Sequence, residues 1–393
     1  MRRRVLLAWG GGAGRGHVVT LKVMAEALGN QYDYDAALCR MDHAAELSHL
    51  CDAVYPSAGL YNQRQLRKAA GSPGTATWGD FLGDLVFAYP ERLQLQFDWW
   101  VEVLRTRRID LLVADFAPVS MLAARALGIP SVCVGTGYSA PPPGMDAFPI
   151  LLSQYSTLVH DEAVLLDNVN ALLKRAGAAP MDCLSDVYRA SVSMPRTIRQ
   201  LDPYDGMRAE SLLPPLNEAV PRSTGTGEEI FVYFSTAETA YAPIVEALCA
   251  VKLPVRAYLP GADADLLARL ARAGVTVETA PVAADLIAMR TRLMLNAGQH
   301  GTLCMGLGLG LPQLAFPQHL EHEYHARRAA ELGAVDIVPY RSWEADRIVA
   351  AIDDMHADGD RTVRVRALSE ALDPDLFGNI GALVRGRVEP LLA

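Results

Sequence analysis

The chain has 393 residues, 51% hydrophobic and 21% charged, which excludes a disordered or fibrous protein and asks for two or three domains. Asp and Glu outnumber Lys and Arg by 45 to 36, and a net charge of −9 with no basic stripe argues against a nucleic-acid partner. The six cysteines are scattered without a CxxC pair, as expected of reduced thiols in a cytoplasmic protein.

The basic run Arg2-Arg3-Arg4 precedes an apolar stretch, 5–9, far too short to span a membrane. That stretch has strand length. Gly10-Gly11-Gly12-Ala13-Gly14-Arg15-Gly16 breaks it, and Val18, Leu21, Met24, Ala25 and Leu28 then recur at helical spacing until Gly29-Asn30. Leu93 to Leu104 reads as an amphipathic helix, in which Trp99-Trp100 suits a core better than a membrane or acceptor surface. Residues 111–114 form a strand ending at Asp115, 120–127 a helix stopped by Gly128, and 131–134 the next strand. The Pro- and Gly-rich stretch 200–229 interrupts the alternation. Strands then follow at 230–234, 255–258, 275–278, 293–295 and 314–316, with helices at 242–251, 263–272 and from Thr302. Strand–helix repeats of this size predict an α/β protein of two parallel-sheet halves, each binding ligands at the carboxyl ends of its strands.

Three groups of residues carry candidate chemistry. The glycine loop does not meet GxGxxG in either register, because Arg15 or His17 replaces the third glycine, and no Lys follows to make a phosphate loop. Instead Gly16-His17 opens a helix, where the dipole disfavours imidazolium and leaves an imidazole able to accept a proton. Asp115, ending a neighbouring strand, is placed to hold one ring nitrogen; capping roles for both residues remain open. In 293–326 a strand ends in a glycine-rich turn before a helix, a place suited to a diphosphate. His319, His322 and His325 fan across more than one helix face, so no metal site is expected.

The segment 293–326 resembles the donor-binding signature of family 1 nucleotide-sugar-dependent glycosyltransferases. Gly298, Gly301, Thr302, Gly310, Pro312, Gln313, Pro317, Glu321 and Ala326 fall in register with it. Val275 through Asp285-Leu286-Ile287 resembles the family's base-packing segment, 230–236 its first C-domain strand, 197–206 its exit from the N-domain, and Gly16-His17 with Asp115 its base and orienting acid. The loop 10–17 and Phe316-Pro317-Gln318-His319 are also similar to the peptidoglycan lipid-linked N-acetylglucosaminyltransferases.

The resemblance implies a GT-B fold: two Rossmann-like domains facing across a cleft. The expected division is an acceptor-binding domain at 1–213, a linker at 214–229, a nucleotide-sugar domain at 230–375, and a C-terminal helix at 376–393 packing back on the first domain. It implies an inverting, metal-independent hexosyltransferase with no cofactor beyond its nucleotide-sugar co-substrate, UDP first by family frequency and thymidine diphosphate next. His17 would be the base and Asp115 its support. Gly14, Arg15, Gly16, Thr236, Pro281, Val282, Gly298, Gln299, His300, Gly301, Thr302, Glu321 and His322 would contact the donor, Glu321 and His322 holding sugar hydroxyls. The family's phosphate-binding His falls on Ala297 and a ribose-binding Glu on Met305, so His300 is expected to replace the phosphate ligand. The acceptor is a small molecule or lipid, with peripheral membrane contact allowed. A nucleotide-sugar epimerase on the same fold, or a degenerate binding protein, stays open.

Overall fold

The computed structural model describes residues 2–12, 14–59, 75–235 and 238–393. The chain divides into two compact units: Met1–Thr197 with Asp202–Leu213 and Asn379–Ala393, and Ile198–Leu201 with Pro214–Gly378.

The first unit is built on a six-stranded parallel sheet: β1 (Arg4–Trp9), β2 (Asp33–Leu38), β3 (Ala53–Pro56), β4 (Leu111–Asp115), β5 (Ser131–Gly135) and β6 (Val192–Pro195), ordered β3-β2-β1-β4-β5-β6. The continuous apolar run of β1 follows from burial on both faces. Leu6 and Ala8 enter one core, Val5, Leu7 and Trp9 the other. The second unit repeats the plan with β7 (Glu229–Tyr233), β8 (Val255–Tyr258), β9 (Thr276–Glu278), β10 (Thr291–Asn296), β11 (Gln313–Ala315) and β12 (Val335–Ile337), ordered β12-β11-β10-β7-β8-β9. Each sheet therefore reverses its strand order once, between β1 and β4 and between β7 and β10. A Rossmann-like sheet opens its ligand crevice at that point, beyond the strand carboxyl ends.

Local chemistry sets the helix ends. Pro118 starts Pro118–Leu127, and Gly128 at φ +66° closes it. The Asp263 carboxylate accepts from Leu266 N and so caps Ala264–Arg272. The helix expected from Thr302 begins two residues earlier, as His300–Leu309, because Gln299 takes the extended N-cap conformation. The Pro/Gly-rich stretch after Leu213 lies on the second unit: Leu216 N donates to Leu376 O, Ser223 N to Leu309 O, and Arg222 pairs with Asp373 at 2.6 Å. Trp100 is buried and Trp99 half-buried against it, ring to ring at 4.8 Å, so the pair serves the core. The final helix, Ile380–Val388, sends Ile380, Val384 and Val388 into the core beside Val18, Leu21 and Met24 of helix Gly16–Leu28. Among the described residues no helix is long and apolar enough to cross a membrane.

Candidate functional site

In the first unit, the register Trp9↔Asp115 brings the carboxyl ends of β1 and β4 side by side. The chain leaves β1 through the glycine loop and re-enters order at helix Gly16–Leu28, with His17 in its first turn. His17 Nδ1 lies 2.8 Å from Asp115 Oδ1. The carboxylate is 1% exposed and the imidazole 19% exposed, so the acid is sealed and the ring reaches the surface. Fixing Nδ1 on a carboxylate sets the ring's orientation and places Nε2 on the edge away from Asp115.

Residues around this pair make room for it. A methyl on Gly12 would stand 2.8 Å from His17 Nε2, and one on Gly135 3.1 Å from Asp115 Oδ1; both glycines also take positive φ, +87° and +132°. Phe116, directly after Asp115, is one of two non-glycine residues at positive φ (+47°) among those described. Strain of this kind persists only where surroundings enforce it. Here the ring is held by Trp78 at 5.3 Å and Phe81 at 5.7 Å, and Trp78 also meets Tyr138 at 5.0 Å. An aromatic wall thus adjoins His17. Gly14 sits at φ +102° with open space around it, Arg15 pairs with Glu46 at 2.7 Å, and Gly16 has nothing near its Cα.

In the second unit, Asn296 ends β10 beside Tyr233 of β7. Asn296 Oδ1 accepts from Gly298 N at 2.7 Å and its amide donates to Gln313 Oε1 at 2.8 Å, which fixes the turn from below. Gly298, at φ +84°, is needed because a side chain would strike the His322 carbonyl at 2.7 Å. Gln299 folds back, its Oε1 accepting from Ala297 N at 3.2 Å. The N–H groups of His300, Gly301 and Thr302 open the helix His300–Leu309, where a helix's own geometry provides no acceptors, and Gly301 leaves the approach clear.

The His300 side chain does not face that approach. It is 4% exposed, with Nε2 3.7 Å from Cys304 Sγ and its ring 5.0 Å from that of His325. Starting the helix at His300 puts Cys304 one turn on, along the same face, and draws the imidazole inward. Glu321 is partly exposed in the first turn of Leu320–Glu331. His322 is buried, with its ring 3.7 Å from that of His319 and no described hydrogen-bond partner for Nδ1. Burial, reinforced by His319 and His325, holds His322 well below the usual histidine range; burial, then His300 and His319, does the same for His325. Pro281 is exposed; Val282, Tyr233 and Tyr258 pack against the same core cluster, and the two tyrosine rings stack at 5.9 Å and 14°. Thr236 lies outside the described residues. Among the described residues no group of three or more His, Cys, Asp or Glu side chains is arranged to hold a metal ion.

Sequence reasoning reached His17, Asp115 and the 298–302 turn. It missed Trp9, Gly12, Phe116, the Asn296–Gln313 pair and the Tyr233–Tyr258 stack. The glycine at 12 was the one visible signal among these.

No family model and no curated protein sequence matches the chain. Solved structures do. Spinosyn rhamnosyltransferase SpnG complexed with thymidine diphosphate aligns over 98% of this chain and 99% of its own at a TM-score of 0.69 and 16% identity. The calicheamicin glycosyltransferase CalG4 aligns over 100% and 99% at 0.68 and 17%, and glycosyltransferase VinC in complex with dTDP over 99% of each chain at 0.66 and 17%. The fold is GT-B. Its two Rossmann-like domains are the two units described above.

Proposed function

We propose that the protein transfers a sugar, with inversion, from a nucleoside diphosphate sugar to a hydroxyl of an apolar small-molecule acceptor. The observation that carries this reading is the His17–Asp115 pair at 2.8 Å, placed where the first sheet reverses its strand order. His17 Nε2 takes the acceptor's hydroxyl proton while Asp115 supports the imidazolium. The acceptor oxygen bonds to the anomeric carbon as that carbon's bond to the diphosphate oxygen breaks. A single displacement inverts the centre; Asp115, committed to Nδ1, is not a nucleophile. The departing diphosphate takes the negative charge, and the N–H groups at the start of His300–Leu309 receive it. In this reading Glu321 holds sugar hydroxyls, the His322 Nδ1 offers a further polar contact, and Gly14, Arg15 and Gly16 line the donor's approach.

For the nucleotide, dTDP is favoured over UDP because the SpnG and VinC structures hold thymidine diphosphate. For the acceptor, SpnG is also described complexed with spinosyn aglycone, and Phe81, half-buried on the core rings of Trp78 and Phe116, offers an apolar ring. Six free thiols favour a reducing, cytoplasmic setting.

The test is His17→Ala. Transfer should fall by ~10²–10⁴-fold with dTDP affinity unchanged. Asp115→Asn should lose less, and the double variant little more than His17→Ala alone. Normal turnover in His17→Ala, or isomerised donor as the product in place of a glycoside, would sink the reading.

A further inference from the structure

Beside the His17–Asp115 pair stands a feature that the proton-transfer scheme does not use. The Trp9 ring is wholly buried and stacks on the His17 imidazole, centroids 5.2 Å apart and planes 25° apart. Phe116 offers a second ring at 6.0 Å and 34°. Neither placement is incidental to the backbone. Trp9 Nε1 donates to Gly11 O, tying the indole to the glycine loop, and Phe116 keeps its positive φ while its ring lies against His17. A neutral imidazole already stacks favourably on an aromatic face, and a cation within about 6 Å of the ring centroid gains a further electrostatic attraction, so such contacts strengthen as the imidazole gains its proton.

We infer that Trp9 and Phe116 are positioning residues for His17, holding the imidazole on Asp115 and raising its proton affinity by stabilising imidazolium through their ring faces. The inference rests on the proposed role of His17 as base, but the ring geometry is independent of it. Several titratable or charged groups lie near this site among the described residues. Asp115 binds Nδ1. The His43 ring lies 6.5 Å from that of Trp9 and is near Asp42 and Glu46. Arg15 is paired with Glu46. Cys39, at the end of β2, has its thiol pushed up to about 12 by burial and stays neutral. Trp78 and Phe81 on the Phe116 side carry no charge.

The experiment is an NMR pH titration of the His17 ring in the full chain, its signal assigned by loss in His17→Ala, with His43→Gln as background control. Trp9→Leu keeps an apolar contact but removes the π face. The His17 pKa should fall by about half a unit to one unit, as a cation–π contact of ordinary strength implies. Trp9→Phe should restore most of it, and Phe116→Leu should give a smaller fall. A His17 pKa that stays put or rises in Trp9→Leu overturns the inference; if that variant does not fold, an unshifted Phe116→Leu does so. The acidic limb of kcat/KM, measured with dTDP-glucose and 4-methylumbelliferone, should move by the same amount as the NMR value. A moved NMR value with an unmoved limb leaves the clamp standing and removes His17 as the base.

Discussion

Replacing Gly12 by Ala separates two costs that usually arrive together. At φ +87° an L side chain is strained, by about 1–2 kcal/mol. The same holds at Gly14, φ +102°. The two positions differ in what the new methyl meets. At residue 12 it would stand 2.8 Å from both His17 Nε2 and Phe116 Cδ1, whereas at residue 14 nothing lies within 4 Å. Ordinary contact begins near 3.5 Å, so the imidazole or the loop must retreat by roughly 0.7 Å. A displacement approaching 1 Å at a reacting group can cost ~10²-fold. Both variants should therefore melt lower by about 2–8 °C. Gly12→Ala alone should lose kcat, by roughly 10- to 100-fold; any loss in Gly14→Ala should fall on KM for the donor. Thermal melts and steady-state transfer with dTDP-glucose read both effects. Equal loss of kcat in the two variants, or normal kcat in Gly12→Ala, would show that Nε2 does not work from the place the structure gives it.

Other outcomes follow from features described or nearby. Asp202 and Arg208 form an ion pair at 2.7 Å, their side chains 2% and 3% exposed, and the guanidinium also donates to Ala140 O and Gly137 O. Asp202→Ala should cost ~3–5 kcal/mol by stranding a buried charge, and Asp202→Leu with Arg208→Met should recover part of it; a loss below ~1 kcal/mol in the single variant argues against the pair. His322 and His325 have folded pKa values below their unfolded ones, so their contribution to stability is complete above about pH 6.5 and drains away as pH falls beneath it. Each can take up to ~1.4 kcal/mol per pH unit there, so the thermal midpoint should drop between pH 7.5 and 5.5 and drop less in His325→Leu; equal midpoints at the two pH values would contradict this. Transfer should survive EDTA, since backbone N–H groups receive the diphosphate in the proposed scheme; activity lost on chelation and restored by magnesium would overturn that.

The sequence showed most of the fold because buried parallel strands are apolar throughout. Residues 255–258 were read with the boundaries they have, and 111–114 fell one residue short. β2 escaped because Asp35, wholly buried between Arg4 and Arg107, makes a core strand look polar. β3, β6 and β12, three or four residues long like β8, β9 and β11, went unread; β3 and β6 end in proline and β12 carries Asp336, which masks them as strands. At the site, Gly16-His17 and Asp115 stood at strand ends that topology brings together. The surroundings could not be read in this way. The positive φ of Phe116 and the stacking of Trp9 on His17 are tertiary facts with no local pattern, and the inward turn of His300 depends on a helix beginning two residues sooner than its composition suggested.

One consequence of the chain's path concerns its synthesis. Helix Gly16–Leu28, which carries His17, shares its core with Ile380, Val384, Val388 and Leu392, and Arg385 donates to Ala27 O at 2.8 Å. All of Pro214–Gly378 must be translated before those side chains exist. Counted from Leu28 to Ile380, about 350 residues at ~5–20 per second, the apolar back of that helix waits uncovered for roughly 20–70 s. Chaperone demand, and sensitivity to premature stop codons, should concentrate on this helix; a chain ending at residue 378 would carry His17 on an element with an open hydrophobic flank. A synthetic peptide of residues 379–393, added in trans, is the natural partner for such a chain.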